Sequence, residues 1–548
     1  MELMYILNVI PLIKIPRPNS QVLSYFSISK IGPGFLIKVS VRNRKTDAVV
    51  LECRSMDQEK LRLKKYADFE IKPIEKIKTS KRILDENQIK LLTWLSEYYF
   101  APIGLFARIF ISKKLPIYKK TSLVLTPTTK GLIFSEFKNL KSIIVEDSES
   151  DSYQSWGRKP YYNVKDIAIQ LAKIHNAKLI LKTDLPSVED YYNAKNKNYK
   201  LEIKETRLPA KQAKHKIQDT SIVDMKNEMR GGNFSPISAT LKEKLEKTNK
   251  AILFIARRGT STIVLCRECG YIAKCRSCEV PMVYHEEKPS RRLVCHHCGK
   301  DDIAPVLCPN CKSIKIKYLG SGTQKIESEI KRLVPNKKVF RLDGDVAEKP
   351  TEQQKIITEF KNSDSAILVG SQMILNKGIK ADLIAIVSID TILNLPDFKS
   401  PERVFQSINQ LINVTNKQFL VQTYNAESKT IKLAIENNFN TFYNEEIEAR
   451  KKYNYPPFSE IIKLSYAHKD FVRAKNESTI LKEKLKQQIK NSPKIQIFGP
   501  SPAFISKEKG TYKWNIIIKS QLTMEERNKI LIIVPPTWEI EVNPENTL

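Results

Sequence analysis

Apolar and polar positions divide this chain into segments of strand and helix length. In "KAILFIARRG" the apolar residues run unbroken from Ala251 to Ala256 and stop at an arginine pair, which predicts a strand buried on both faces. "KYLGSGTQKIESEIKRL" and "KKVFRLDGD" follow as strand, Gly-rich turn, helix and second strand. Strands alternating with helices predict an α/β architecture. The opening "MELMYILNVIPLIKIP" is interrupted by Pro11 and Pro16 and has neither a basic leader nor a small-residue cleavage site. It reads as a strand and not as a signal peptide. "SVRNRK", Ser40 to Lys45, lies between two strand-like runs and predicts a hairpin tip whose charges suit phosphate.

No apolar run reaches the ~18 to 20 residues that span a bilayer. A chain of 548 residues is too long for one core and should divide into roughly three to five domains. With 41% hydrophobic and 28% charged residues it suits a globular, cytoplasmic protein without a membrane partner. Charge changes this picture: 92 Lys and Arg against 60 Asp and Glu leave a formal +32. A field of that sign points to a polyanion, of which nucleic acid is the usual one. A lysine-rich solvated surface is the plainer reading.

Eight of the nine cysteines lie between Cys266 and Cys311, as the CxxC pairs Cys266/Cys269, Cys275/Cys278, Cys295/Cys298 and Cys308/Cys311. In a reducing compartment grouped thiols bind metal rather than form disulfides. Each CxxC turn aims two sulfurs at one ion and two pairs close a tetrahedron, so the set predicts two structural Zn²⁺. "CRECG" and "CHHCG" place Gly after the second cysteine, where the turn calls for positive φ. His285, His296 and His297 are not needed as ligands, and Cys53 reads as a small core residue. Metal binding would supply much of the folding free energy of this insertion.

The order "ILFIARRG", "CRECGY", "GSGTQKIESEI", "FRLDGD", "ILVGSQMILNKG", "LPDFKSPERVFQ" and "VQTYNAES" resembles the family of primosomal protein N′ (PriA), superfamily 2 DNA helicases that reload replication machinery at stalled forks. "LSYFSISKIGPGFLIKVSVRNRKTDAVVLE" and "LLTWLSEYYFAPIG" look like its N-terminal 3′-end DNA-binding domain. "YPPFSEIIKLSY", "IFGPSPAF" and "GTYKWNIIIKS" look like its α/β C-terminal domain. The resemblance implies a multidomain α/β chain. Its parts are a β-rich N-terminal domain (1–117), a truncated first RecA-like lobe (118–207), a RecA-like second lobe (208–265 and 313–440), an inserted double-zinc module (266–312) and a C-terminal domain (441–548). It also implies nested metal sites, with Cys266, Cys269, Cys308 and Cys311 on one ion and Cys275, Cys278, Cys295 and Cys298 on the other.

The chain departs from that family where ATP would be handled. The phosphate-cradling pattern GxxxxGK[ST] occurs nowhere, and "YKKTS" at 118–122 has Lys120 and Thr121 but no glycine. Between Pro116 and "LIFSEFKNLKSIIVEDSESDSYQ" lie only about fifteen residues, where a winged-helix unit and half a motor lobe would be expected. The family's DEEH box falls on Glu146, Asp147, Ser148 and Glu149, and "TDLPS" stands for its SATPS. Its VAGRAGR reads "LINVTNK", with Val414 and Lys417 at the two arginine positions. Loss of such an arginine costs ~10³ to 10⁵ in rate. Glu146, Asp147, Val414 and Lys417 are therefore read as degenerate remnants, with no catalytic residue and no use of ATP or Mg²⁺.

What remains suits DNA. "SYQSWGRKPYYNVKD" interleaves Tyr153, Trp156, Tyr161 and Tyr162 with Arg158, Lys159 and Lys165, a pattern for base stacking and phosphate contact; two aromatics tucked into a core are the alternative. Arg257 and Arg258, the turn Gly320, Gly322 and Thr323, and Gln372 and Lys377 in "VGSQMILNKG" are further candidates. The lysine-rich stretch 191–250 should contain a solvated connector near 208–220. The expectation is a PriA-like replication-restart protein that binds forks, 3′ ends and single strands without ATP hydrolysis, with primosome or replication proteins as partners. A working ATP-dependent 3′→5′ helicase is the alternative, and a protein-interaction subunit without DNA binding is the second.

Overall fold

The structure, a computed structural model, describes the chain apart from residues 1–3, 17–20, 57–71, 113–116, 156–158, 203–218, 257–261, 267–268, 270, 278–280, 288–289, 296–297, 315, 320–322, 345, 348, 376, 490–491, 509 and 548. Trp156, Arg158, Arg257, Arg258, Cys278, Gly320, Gly322, His296, His297 and nearly all of the expected connector thus lie outside the described residues.

The N-terminal six-stranded sheet runs in the order Lys72–Pro73, Leu23–Ser27, Tyr5–Pro11, Arg44–Ser55, Phe35–Val41, Lys76–Arg82. The expected hairpin is there. Val41 faces Arg44, and Arg42 and Asn43 between them take φ of 47° and 62°, the two-residue turn whose twist matches its strands. Alternation sends Ile37, Val39, Ala48 and Val50 into a core on one face. Leu36 and Val49 point to the other face, against helices Glu86–Tyr98 and Ile103–Ser112. Asp85 opens the first of these helices with a capping box, accepting from the Gln88 N–H while the Gln88 side chain accepts from its own.

A three-stranded parallel sheet follows, in the order Lys178–Leu181, Ser142–Val145, Ser122–Leu125. Leu123, Leu125, Ile143 and Val145 are buried in the same core as helices Glu86–Tyr98, Ile103–Ser112 and Val164–His175 and the C-terminal sheet. The opposite face carries Val124, 41% exposed, with Ile144 and Ile180 half-buried. A parallel sheet is normally covered on both faces; among the described residues this face of the three-stranded sheet is the less covered one.

The second parallel sheet has six strands: Asp219–Asp224, Thr415–Thr423, Ala381–Ser388, Lys250–Ile255, Ala366–Gly370 and Lys338–Leu342. The central run Ala251–Ile255 is fully buried, as its unbroken apolar sequence requires, and alternate residues feed two cores on opposite faces. An antiparallel five-stranded sheet from Thr262 to Leu319 carries the cysteines. Its pairing of Thr262–Cys266 with Ile316–Leu319 makes this module wider than the cysteine span 266–312. The C-terminal sheet has four antiparallel strands, Ile495–Glu508, Thr511–Ser520, Glu460–His468 and Glu539–Val542. No helix among the described residues is long and apolar enough to cross a membrane.

Candidate metal centres and interdomain cleft

The strand pairing that closes the module sets Cys266 opposite Ile316 and so beside the Cys308–Cys311 turn. The sulfurs of Cys266, Cys269, Cys308 and Cys311 lie within 4.8 Å of one another. Cys266 and Cys311 stand 3.6 Å apart, as do Cys269 and Cys308. An edge of a tetrahedron with ~2.3 Å Zn–S bonds is about 3.8 Å, whereas a disulfide is ~2.05 Å. Cys275, Cys295 and Cys298 form a second group, with Cys275 and Cys298 3.6 Å apart. Burial opposes ionisation of Cys269, but hydrogen bonds involving Asn310, the Tyr271 backbone and neighbouring thiols lower it to about 7, towards the thiolate a metal needs. Soft donors at these separations fit structural zinc.

Three of the turns share one backbone closure. The Gly299 N–H donates to the Cys295 carbonyl at 2.8 Å, and the Lys312 N–H to the Cys308 carbonyl at 2.9 Å. Cys266, Cys295 and Cys308 each donate to the carbonyl five residues on. Gly299 has φ +81°, and a Cβ there would meet the Pro500 carbonyl at 2.4 Å, so glycine is required twice over. Lys312 takes the same left-handed conformation at φ 60° without being glycine.

A cavity of about 400 Å³ lies where the two parallel sheets and the C-terminal domain meet. Buried charges knit its walls. Arg450 reaches Glu189 at 3.0 Å, Glu402 at 2.7 Å and Glu446 at 3.0 Å. Lys165 pairs with Asp190 at 3.0 Å. Lys399 meets Glu545 at 3.1 Å, and Arg403 meets Asp397 at 3.2 Å and Glu545 at 3.3 Å. Burial alone would raise Glu189, but Arg450, Lys399 and Lys165 outweigh it and lower its carboxyl to about 2. Burial, helped by Asp151, outweighs Lys399 and Arg403 at Glu545 and raises that carboxyl to about 7. The segment around Glu545 reaches three other parts of the chain. Asn543 donates to Tyr98 Oη, Lys463 donates to the Asn546 carbonyl, and the Thr547 N–H donates to Asp397.

Of the eight described positions read as DNA contacts, at least six have partners within the fold. Tyr153 is 1% exposed and donates to the Leu125 and Glu146 carbonyls, so it offers no face to a base. Lys165 is half-buried and paired with Asp190. Tyr161 donates to Glu539 at 3.2 Å, Lys159 pairs with Glu539 at 2.7 Å, and Tyr162 packs edge-on against Phe134. Thr323 is fully buried and donates to Asp343, which removes its hydroxyl from any phosphate. In its described part the interleaved loop packs against the core and pairs with the C-terminal sheet. Gln372 is half-buried in a 3-10 turn and Lys377 is exposed.

Among the remnant positions, Glu146 pairs with Lys182 at 2.7 Å and Lys417 with Asp382 at 2.7 Å. Neither these nor Asp147 and Val414 line the cavity, whereas Glu149 does. The cleft charges Lys399, Glu402 and Arg403 escaped the sequence reading although they lie inside the quoted "LPDFKSPERVFQ". Their signal was an ionic cluster on an apolar helix face.

Taken together, these features define a multidomain α/β protein built from two parallel sheets, a double cysteine module, a β-rich N-terminal sheet and an α/β C-terminal unit. Three segments match described domain families: residues 12–112 a 3′ DNA-binding domain (3′BD), residues 275–301 the PriA DNA helicase Cys-rich region (CRR) domain, and residues 451–533 the primosomal protein N C-terminal domain. The replication restart protein PriA of Bacillus subtilis is 32% identical over 405 residues, 71% of this chain and 49% of that protein. The PriA of Borreliella burgdorferi is 32% identical over 400 residues, 72% of this chain and 59% of the other. That of Thermotoga maritima is 29% identical over 434 residues, 75% and 56%. The chain belongs to the PriA family. It spans about half to three-fifths of the length of these relatives.

Proposed function

We propose that this chain is a replication-restart protein that binds forked or 3′-ended DNA and does not hydrolyse ATP. The observation that carries the reading is the match of residues 12–112 to a domain named for binding DNA 3′ ends. The formal charge of +32 supports a polyanionic partner. On this reading the two parallel sheets are helicase lobes, the first shortened, and the cleft between them is held by ion pairs rather than by nucleotide. The missing phosphate-loop pattern and the surface pairing of Glu146 and Lys417 support the loss of turnover. The eight clustered cysteines hold two zinc ions, Cys278 completing the inner set, and the module offers replication proteins a docking platform in the cytoplasm.

The test is phosphate release by zinc-loaded protein with and without forked DNA, beside anisotropy titrations of forked, 3′-tailed and blunt duplexes over a salt series. The expected result is background hydrolysis with tight, salt-sensitive binding that favours forked and 3′-tailed DNA. Rapid turnover would establish the helicase instead. No affinity for any of these DNAs would leave a protein-interaction subunit.

A further inference from the structure

The hairpin face turned towards helix Ile103–Ser112 carries a recess of about 530 Å³ lined by Lys38, Lys45, Lys78 and Arg108, together with Leu12, Thr46, Asp47 and Ile111. Strand register explains the convergence. Lys38 stands opposite Asp47 on one neighbouring strand and opposite Lys76 on the other. Like charges directly opposed across a ladder are destabilising, and neither Lys38 nor Lys76 has a carboxylate partner among the described residues. Lys78 pairs with Asp47, Lys45 with Glu75 at 2.9 Å, and Arg108 uses Nε to donate to the Leu12 carbonyl at 2.5 Å. Five cations therefore gather against two carboxylates. Lys76 and Lys78 lie on the edge strand Lys76–Arg82, one strand period of about 6.7 Å apart. A row of cations at that step meets successive charges of a polymer better than it encloses a single small ion.

We infer that this recess and its edge strand form a track for the phosphodiester backbone of single-stranded nucleic acid, with Lys38, Lys76 and Arg108 as its principal contacts. The inference rests on the DNA-binding reading, and every residue named falls within the matched segment 12–112. It narrows the matched segment to one sheet face and its edge strand, with contacts at Lys38, Lys76 and Arg108 that lie outside the hairpin tip Ser40–Lys45. The ligand is recognised by charge, so the track carries no base specificity.

The experiment is anisotropy of a fluorescein-labelled oligothymidylate with the full zinc-loaded chain, between 0.05 and 0.3 M salt. Three proteins are compared: the unaltered chain, Lys38→Gln/Lys76→Gln, and the control Lys475→Gln/Lys484→Gln, whose lysines are exposed on helix Phe471–Ile489. Losing two phosphate contacts should flatten the log–log salt slope by about 1.4 and weaken binding about tenfold at 0.15 M salt. The control should change neither appreciably, and melting should show that the first variant is at least as stable as the unaltered chain, since it removes a repulsive pair. Equal weakening by both variants would assign the effect to diffuse net charge and overturn the track. So would binding by the unaltered chain that Lys38→Gln/Lys76→Gln leaves untouched. Displacement by inorganic triphosphate at equal phosphate concentration would reduce the track to a small-anion site. If the unaltered chain bound neither the oligonucleotide nor forked DNA, the DNA-binding reading itself would fall.

Discussion

Glu149 shows how far a single side chain can depart from its ordinary behaviour here. Burial pushes its carboxyl up from 4.5 to about 7 against a hydrogen bond from Thr183, and its Oε2 is buried without a hydrogen-bond partner. Because the folded value lies above the ordinary one, the native state keeps a proton that the unfolded chain loses between about pH 4.5 and 7. Stability must fall as pH rises through that window, and the full cost stands above it. Glu149→Gln should therefore raise the melting temperature at pH 8, by an amount corresponding to roughly 2–3 kcal/mol, and leave it nearly unchanged at pH 4.5. Paired thermal melts at the two pH values check this. At the same scale the sequence was legible for the cysteines, whose spacing states their chemistry, and poor for Tyr153, Lys165 and Thr323. An aromatic or a lysine in a polar stretch reads as surface until the fold supplies a partner. Leu125, Asp190 and Asp343 come from segments that periodicity does not connect to those residues.

Among the elements, the cysteine module depends most on something outside its own side chains. Its small core holds Val264, Ala273, Met282 and Leu293 with the buried thiols. Ile303 and Ile314 stay 81% and 79% exposed, so on the proposed zinc reading metal supplies much of its folding free energy. Chelation should release two zinc ions per chain and abolish hydrogen-exchange protection across 262–319, while the strand Lys250–Ile255 keeps its protection; mass-spectrometric exchange with a colorimetric zinc assay measures both. Elements were the scale at which the sequence was read best. The Ala251–Ala256 run, the 323–333 helix and the Arg42–Asn43 turn stand where apolar period and turn chemistry put them. What pattern could not decide was sheet membership. Ile316–Leu319 reads as another α/β strand, yet it completes the antiparallel module because the insertion's two ends must meet.

Across the whole molecule, the cleft depends on Arg450, 1% exposed and shared by Glu189, Glu402 and Glu446. Removing it strands buried carboxylates, an effect of about 3–5 kcal/mol. Arg450→Met should lower the urea midpoint and expose helix Val188–Lys195 to exchange before the six-stranded sheet opens; coincident opening of both would contradict the pinning role. None of this network was visible in the linear pattern, because its members span residues 151 to 547 and acquire meaning only when three sheets meet.

The short stretch Asn543–Thr547 has a consequence for how the chain is made. Its contacts reach Tyr98, Asp397, Lys399, Arg403 and Lys463, all translated long before it. Each sheet can fold as it leaves the ribosome, but those five partners must wait for residues more than 75 positions further on. Docking of these parts is thus complete only once Asn543–Thr547 has emerged, and a nascent chain stalled before Asn543 would carry folded sheets in an unlatched arrangement.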